Sequence, residues 1–142
     1  MLTIVVALAL GLFAGSLVLE GLVLVPFWRT LPPDEFFRLH HAFGPRLFRY
    51  FAPLTALAVL VSLASALIAH PTSWQRVAAA GCAALTLAAF PLFFARANRE
   101  FAHRSITDAQ LPRALDRWAM VHMLRTATCV LAFVFALLAL TP

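Results

Sequence analysis

An antiparallel bundle of four transmembrane helices is the fold class this chain predicts, and three observations predict it. Of its 142 residues 63% are hydrophobic and the mean hydropathy is +0.89, well outside the composition of a soluble globular domain. Four apolar runs, 3–27, 51–69, 77–95 and 118–140, each reach the ~20 residues needed to cross hydrocarbon. Arginine concentrates in the first and third connections between them. What remains is two Arg-rich connections and one short turn, so residues 1–142 read as a single integral-membrane domain.

The first run could be a secretory signal peptide. Met1-Leu2-Thr3 offers no basic leader, and the stretch outlasts a signal's apolar region, so it is expected to stay as a bundle helix. Ala7, Gly11 and Gly15 recur at helical spacing as a small-residue face for close packing, with Phe13, Ser16, Glu20 and Phe27 opposite. The connection that follows predicts a helix of its own over roughly Pro33–Phe43. Pro32-Pro33-Asp34-Glu35 is a helix start, with acids at the positive dipole end, and Gly44-Pro45 is a stop. Phe36, Leu39, His40 and Phe43 share one side, Asp34, Arg38 and His41 the other, as in an amphipathic helix lying in the interface. The second span begins near Phe51. The third contains Pro91, which predicts a kink and a freed carbonyl, with Asn98 two turns on. After the polar stretch 105–108 the fourth helix starts near Pro112.

All eleven basic residues are arginine. Arg29, Arg38, Arg46 and Arg49 lie in the first connection; Arg96, Arg99, Arg104, Arg113 and Arg117 lie around the third; the second turn holds Arg76 alone. The positive-inside rule places both rich connections in the cytoplasm and both termini outside it, in a cell inner membrane. The net charge of +5 then needs only anionic lipid headgroups, and no nucleic acid. Cys82 and Cys129 fall at depths differing by roughly 9 Å at 1.5 Å per residue, too far for a disulfide, and they form no Cys-x-x-Cys motif.

Charge inside an apolar span costs on the order of 2.5–3.5 kcal/mol on insertion scales, so ionisable residues there face a partner or a cavity. Glu20 interrupts the first run, while His122 and Arg125 interrupt the last. The topology puts all three in one leaflet. In RWAMVHMLR, Trp118, His122 and Arg125 sit at i, i+4 and i+7 and project from one face. A Glu20–Arg125 or Glu20–His122 pair is therefore allowed. It reads equally as structural glue, with Arg125 snorkelling and Glu20 neutralising it, or as chemistry, with His122 exchanging a proton.

Ten of the thirteen phenylalanines fall on the cytoplasmic side, Phe93 and Phe94 among them. They read as core filling and interfacial anchors, or as the wall of a pocket for a flat apolar ligand. A haem between His122 and His40 is the weakest alternative, since His122 is the only histidine inside a span. His70 lies on the outer side and His103 in a solvated loop, and no acid cluster suits a hard metal.

GLFAG in the first helix, VPFWRTLPP before the first connection, Asn98, and the Trp118-x-x-x-His122-x-x-Arg125 opening of the last helix resemble the anthrone oxygenase-like family. These are small four-helix membrane proteins, mostly of unknown function. The resemblance spans nearly the whole chain on a short motif. It implies a four-helix bundle, and more remotely the oxidation of an anthrone to an anthraquinone. That chemistry runs without metal or flavin, because the ionised tricycle can itself pass an electron to oxygen. It requires an apolar pocket, a base for the acidic carbon and a cation or donor for the enolate oxygen. His122, oriented by Glu20, is the expected base; Arg125 and Asn98 are the expected oxyanion partners; Trp118, His40, Phe93 and Phe94 are the expected substrate contacts. No cofactor is called for. The alternative is a non-catalytic membrane protein that binds lipid or a partner subunit, its polar cluster fixing helix register. Substrate and oligomeric state are not fixed by the sequence.

Overall fold

The computed structural model describes residues 1–68 and 71–141. Among these there is no strand. Four helices dominate: α1, Leu2–Thr30; α2, Pro33–Ile68; α3, Trp74–Ala102; and α4, Leu111–Leu138. Each is long and apolar enough to cross a membrane. Two start on a proline in the first turn, Pro33 in α2 and Pro112 in α4, where a missing N–H has no partner to lose. His70 and Ala69, the last residue assigned to the second span, lie outside the described residues.

The sequence reading of the first connection needs correction. Gly44-Pro45 does not close a separate interfacial helix, because α2 runs unbroken from Pro33 to Ile68 through both Pro45 and Pro53. Each proline removes one backbone donor and crowds the carbonyl four residues back. Ending the helix there would leave its last four carbonyls without intrahelical partners, against the one hydrogen bond each proline removes. The inward side also differs from the predicted one: Phe36 and Phe37 are buried, while Phe43 is exposed with the Arg46 guanidinium 5.2 Å from its ring.

Two helices widen for one turn. In α1 the Val25 N–H bonds to Glu20 O, and in α3 the Ala95 N–H bonds to Phe90 O, five residues back instead of four. Each wide turn adjoins or contains a proline, Pro26 or Pro91, and the extra residue makes room for the ring. Where the sequence predicts a kink at Pro91, α3 inserts this turn.

Packing falls into two apolar clusters. One joins Leu10, Phe13 and Leu17 of α1 to Ala58 and Val59 of α2, Ala79 and Ala83 of α3, and Cys129, Ala132 and Ala136 of α4. The other joins Val25, Phe36, Phe37, Phe94, Phe101, Leu115 and Trp118. The small-residue face of α1 reaches only part of its predicted length. A Cβ on Gly11 would lie 3.0 Å from the Phe133 ring, but one on Gly15 would meet nothing. Phe27, expected to share the face of Glu20, is exposed. Both cysteines are free, Cys129 buried and Cys82 half-buried.

The outer surface is strongly apolar, with Leu8, Leu22, Leu60, Leu92 and Met123 all exposed. A surface of this kind fits lipid contact and would aggregate in water. The arginine-rich connections meet at one end: Arg29 pairs with Asp116 at 2.8 Å, and Arg104 reaches Asp34 at 2.6 Å and Asp108 at 3.1 Å. Trp74 packs on Phe135, their centroids 5.7 Å apart, near the starts and ends of α3 and α4.

Leu10 is fully buried and Leu8 faces outward. Leu10→Ala should therefore cost about 2–5 kcal/mol, as cavity-forming core truncations do. Leu8→Ala should change stability little. Reversible unfolding in mixed micelles checks both, and equal losses at the two positions would overturn the assigned faces.

Candidate functional site

Between the two apolar clusters lies a polar layer, and α1 and α4 supply its charges. Glu20 and His122 are buried, and Arg125 is largely so. Arg125 Nη2 donates to Glu20 Oε2 at 3.3 Å and lies 3.5 Å from His122 Nδ1. His122 Nδ1 is 3.6 Å from the same carboxylate oxygen. The Arg125 guanidinium also sits 4.5 Å above the Phe94 ring, a cation–π contact that helps hold a desolvated charge.

The ring of His122 is fixed on three sides. Its Nε2 lies 3.0 Å from Leu17 O, an acceptor only, so Nε2 carries the hydrogen in the neutral ring and Nδ1 keeps the lone pair. Trp118 stacks on it at 5.1 Å and 10°. Gly21 allows the approach: a Cβ there would stand 3.3 Å from Nε2. The wide turn begins at Glu20, whose buried carboxylate faces Arg125 and His122. Trp118 Nε1 can only donate, and it does so to Asn98 Oδ1 at 2.9 Å. The Asn98 amide is thereby oriented, with its NH₂ left as a donor.

Beside this layer is a cavity of about 850 Å³, within the range that takes a drug-sized molecule. Phe13, Phe51, Phe90 and Phe94 wall it, and Glu20, Arg125, Asn98, Trp118 and His40 share the wall. Phe48, Leu60 and Leu87 belong both to the wall and to the exposed apolar surface, so the cavity opens between α2 and α3 toward lipid. The rings of Phe48 and Phe90 meet across that seam at 5.7 Å.

Glu20, His122 and Arg125 are thus brought together, and Asn98 and Trp118 adjoin them. Two of the expected residues stand elsewhere. His122 does not line the large cavity; it borders a smaller pocket beside Gly21 and Asp116. Phe93 does not line it either, and carries Arg117 on its ring at 5.4 Å. The haem reading loses its pair: His122 turns Nε2 to Leu17 and Nδ1 to Glu20 and Arg125, away from the cavity that His40 lines. His40 sits in a cage of Trp28, Phe36 and Phe101 rings, its Nδ1 buried without a partner. Sequence reasoning missed Gly21, the Leu17 carbonyl, and the places of Arg99, His41 and His103 in the wall. The one available signal was Gly21-to-Pro26 spacing beside a buried acid, which marks a helix prone to widening.

No protein-family model matches the chain, nor does any curated protein or any solved structure.

Removing one partner of a buried ion pair leaves the other charge stranded, whereas removing both is far milder. Arg125→Leu should destabilise by about 3–5 kcal/mol, and adding Glu20→Leu should recover most of that loss. Additive losses in a double-mutant cycle would mean that the two side chains do not interact.

Proposed function

We propose that this is a multi-pass protein of a cell inner membrane, an antiparallel four-helix bundle with both termini outside the cytoplasm. Its interior binds a flat apolar aromatic molecule and oxidises it with molecular oxygen, in the manner of the anthrone oxygenase-like family its motif resembles. The observation that carries this reading is a carboxylate and a guanidinium, Glu20 and Arg125, set in the cavity wall beside the rings of Phe13, Phe51, Phe90 and Phe94. A ring methylene activated by a carbonyl is the substrate such a pair suits.

In this reading Glu20, not His122, is the base that meets the substrate, since Glu20 is in the wall and His122 behind it. Glu20 takes one methylene proton, and the electron pair left on carbon delocalises onto the carbonyl oxygen. Arg125 and the Asn98 NH₂ hold that oxyanion. The carbanion passes an electron to oxygen, and the resulting radical and superoxide join to form a C–O bond and, with a proton, a hydroperoxide. Loss of the second C–H proton breaks the O–O bond. One oxygen atom stays as the new carbonyl and the other leaves as water. His122 serves as a positioning residue and proton store: its Nδ1 lone pair, set by the Leu17 carbonyl, faces Glu20.

A non-catalytic reading shares one observation, the opening of the cavity toward lipid between α2 and α3. There a lipid chain fills the same space and the ion pair only fixes register.

Oxygen uptake on an anthrone-like substrate separates the two. Glu20→Gln should lower turnover about 10²–10⁴-fold, the usual loss for a general base. His122→Gln should show a smaller loss, with equal membrane insertion confirmed for each. If wild type turns over no aromatic substrate, the non-catalytic reading stands. If Glu20→Gln keeps full activity, the acid has no part in the chemistry.

The topology is tested separately. Single cysteines at Arg46 and Gln75 should label from opposite sides of the membrane, and labelling from one side would refute the orientation.

A further inference from the structure

The chain has six carboxylates, and each is paired with an arginine: Glu20 with Arg125, Asp34 and Asp108 with Arg104, Glu35 with Arg38, Glu100 with Arg96, Asp116 with Arg29. Arg99 has no acidic partner among the described residues, and yet it lines the large cavity. His103 lies one helical turn on, its backbone N–H bonded to Arg99 O at 2.9 Å, and its side chain is also in the wall. His41 closes the same rim, held by Nδ1 against Ala102 O at 3.2 Å. Close by, the buried Nδ1 of His40 has no partner. The charge balance of the cavity is therefore uneven. Glu20 is neutralised within the wall by Arg125, and the far end keeps an exposed guanidinium without an acidic partner among the described residues, in a wall shared with His41 and His103.

The wall extends along α3 from Thr86 to His103, which at 1.5 Å per residue is roughly 25 Å. A molecule seated against Glu20 and Phe94 still has several ångströms of cavity between it and Arg99. An uncharged hydrocarbon gains nothing from that end, where Arg99 is exposed at the rim and keeps its water.

Resting on the binding reading above, we propose that the ligand is amphiphilic and acidic. Arg99, with His103 beside it, holds a carboxylate or phosphate at the rim while the apolar body lies against Phe90, Phe94 and the Glu20–Arg125 pair. A guanidinium meets either anion with two parallel N–H donors, and such charge-assisted bonds are the strong ones. The anion could belong to a free aromatic acid or to a membrane-lipid headgroup, and the test distinguishes them.

The probes are an anthracene carboxylic acid and its methyl ester, added to the full chain in vesicles of zwitterionic lipid. Trp28 and Trp118 are in the wall, so energy transfer from tryptophan to the tricycle reports occupancy. The acid should bind about tenfold more tightly than the ester, equivalent to one added ion pair of about 1.4 kcal/mol. Arg99→Gln should abolish that preference, while Arg113→Gln, outside the cavity, should preserve it. Repeating the titration with anionic lipid in the vesicle assigns the source: competition that depends on Arg99 identifies a lipid headgroup, and no competition identifies the free acid. Equal binding of acid and ester by wild type, or a preference that survives Arg99→Gln, overturns the subsite alone. Failure of both probes to bind overturns the cavity reading with it.

Discussion

Everything inward of the lipid-facing shell depends on how one carboxylate is accommodated at membrane depth. A lone ionised group in hydrocarbon is expensive, and the protein sets a guanidinium and an imidazole against Glu20. That requirement fixes α1 against α4, because the carboxylate is on one and both partners on the other. It also fixes their register, since sliding either helix by one residue would move the 3.3 Å contact out of reach. The two apolar clusters above and below this layer can slip more easily, being held by non-directional packing.

The backbone contributes as much as the side chains. Leu17 O accepts from the Glu20 N–H just before the wide turn of Glu20–Leu24, and its second lone pair takes the His122 Nε2 hydrogen. Glycine at position 21 is what permits the imidazole to come that close, with a Cβ distance of 3.3 Å leaving no room for a larger residue without movement. The prolines account for where the helices widen, and the polar layer accounts for why that is tolerated.

Much of this was legible in the sequence, for a definite reason. Hydropathy and length mark four spans because lipid accepts little else, and burial of Glu20, His122 and Arg125 follows from the cost of exposing them there. The i, i+4, i+7 spacing placed Trp118, His122 and Arg125 on one face, and Asn98 is bonded to the first of them. What failed were matters of orientation and local backbone. Gly44-Pro45 reads as a stop, but ending the helix there would leave four carbonyls without intrahelical partners, against the one hydrogen bond that Pro45 removes. Side-chain spacing could not tell that His122 would turn both nitrogens away from the cavity, since the acceptor that turns it is a backbone carbonyl on another helix. His103 read as a solvated loop residue for the same reason: its place in the wall depends on how far α3 continues past Asn98.

The bundle is closed on one side and open on the other, and residue size accounts for the asymmetry. Ala79 and Ala83 on α3 meet Cys129, Ala132 and Ala136 on α4, small side chains that bring two helices close and leave no space between them. Across the α2–α3 seam the contacts are rings instead: Phe48 against Phe90, with Phe51 and Phe94 further in. Rings that meet tilted hold helices apart, and the widened turn at Phe90–Phe94 brings two of the wall's rings, Phe90 and Phe94, to this side. A pocket placed there needs no missing side chains in the core. It is the consequence of alanine on one face of α3 and phenylalanine on the other, with the ion pair at Glu20 and Arg125 set where the two faces divide.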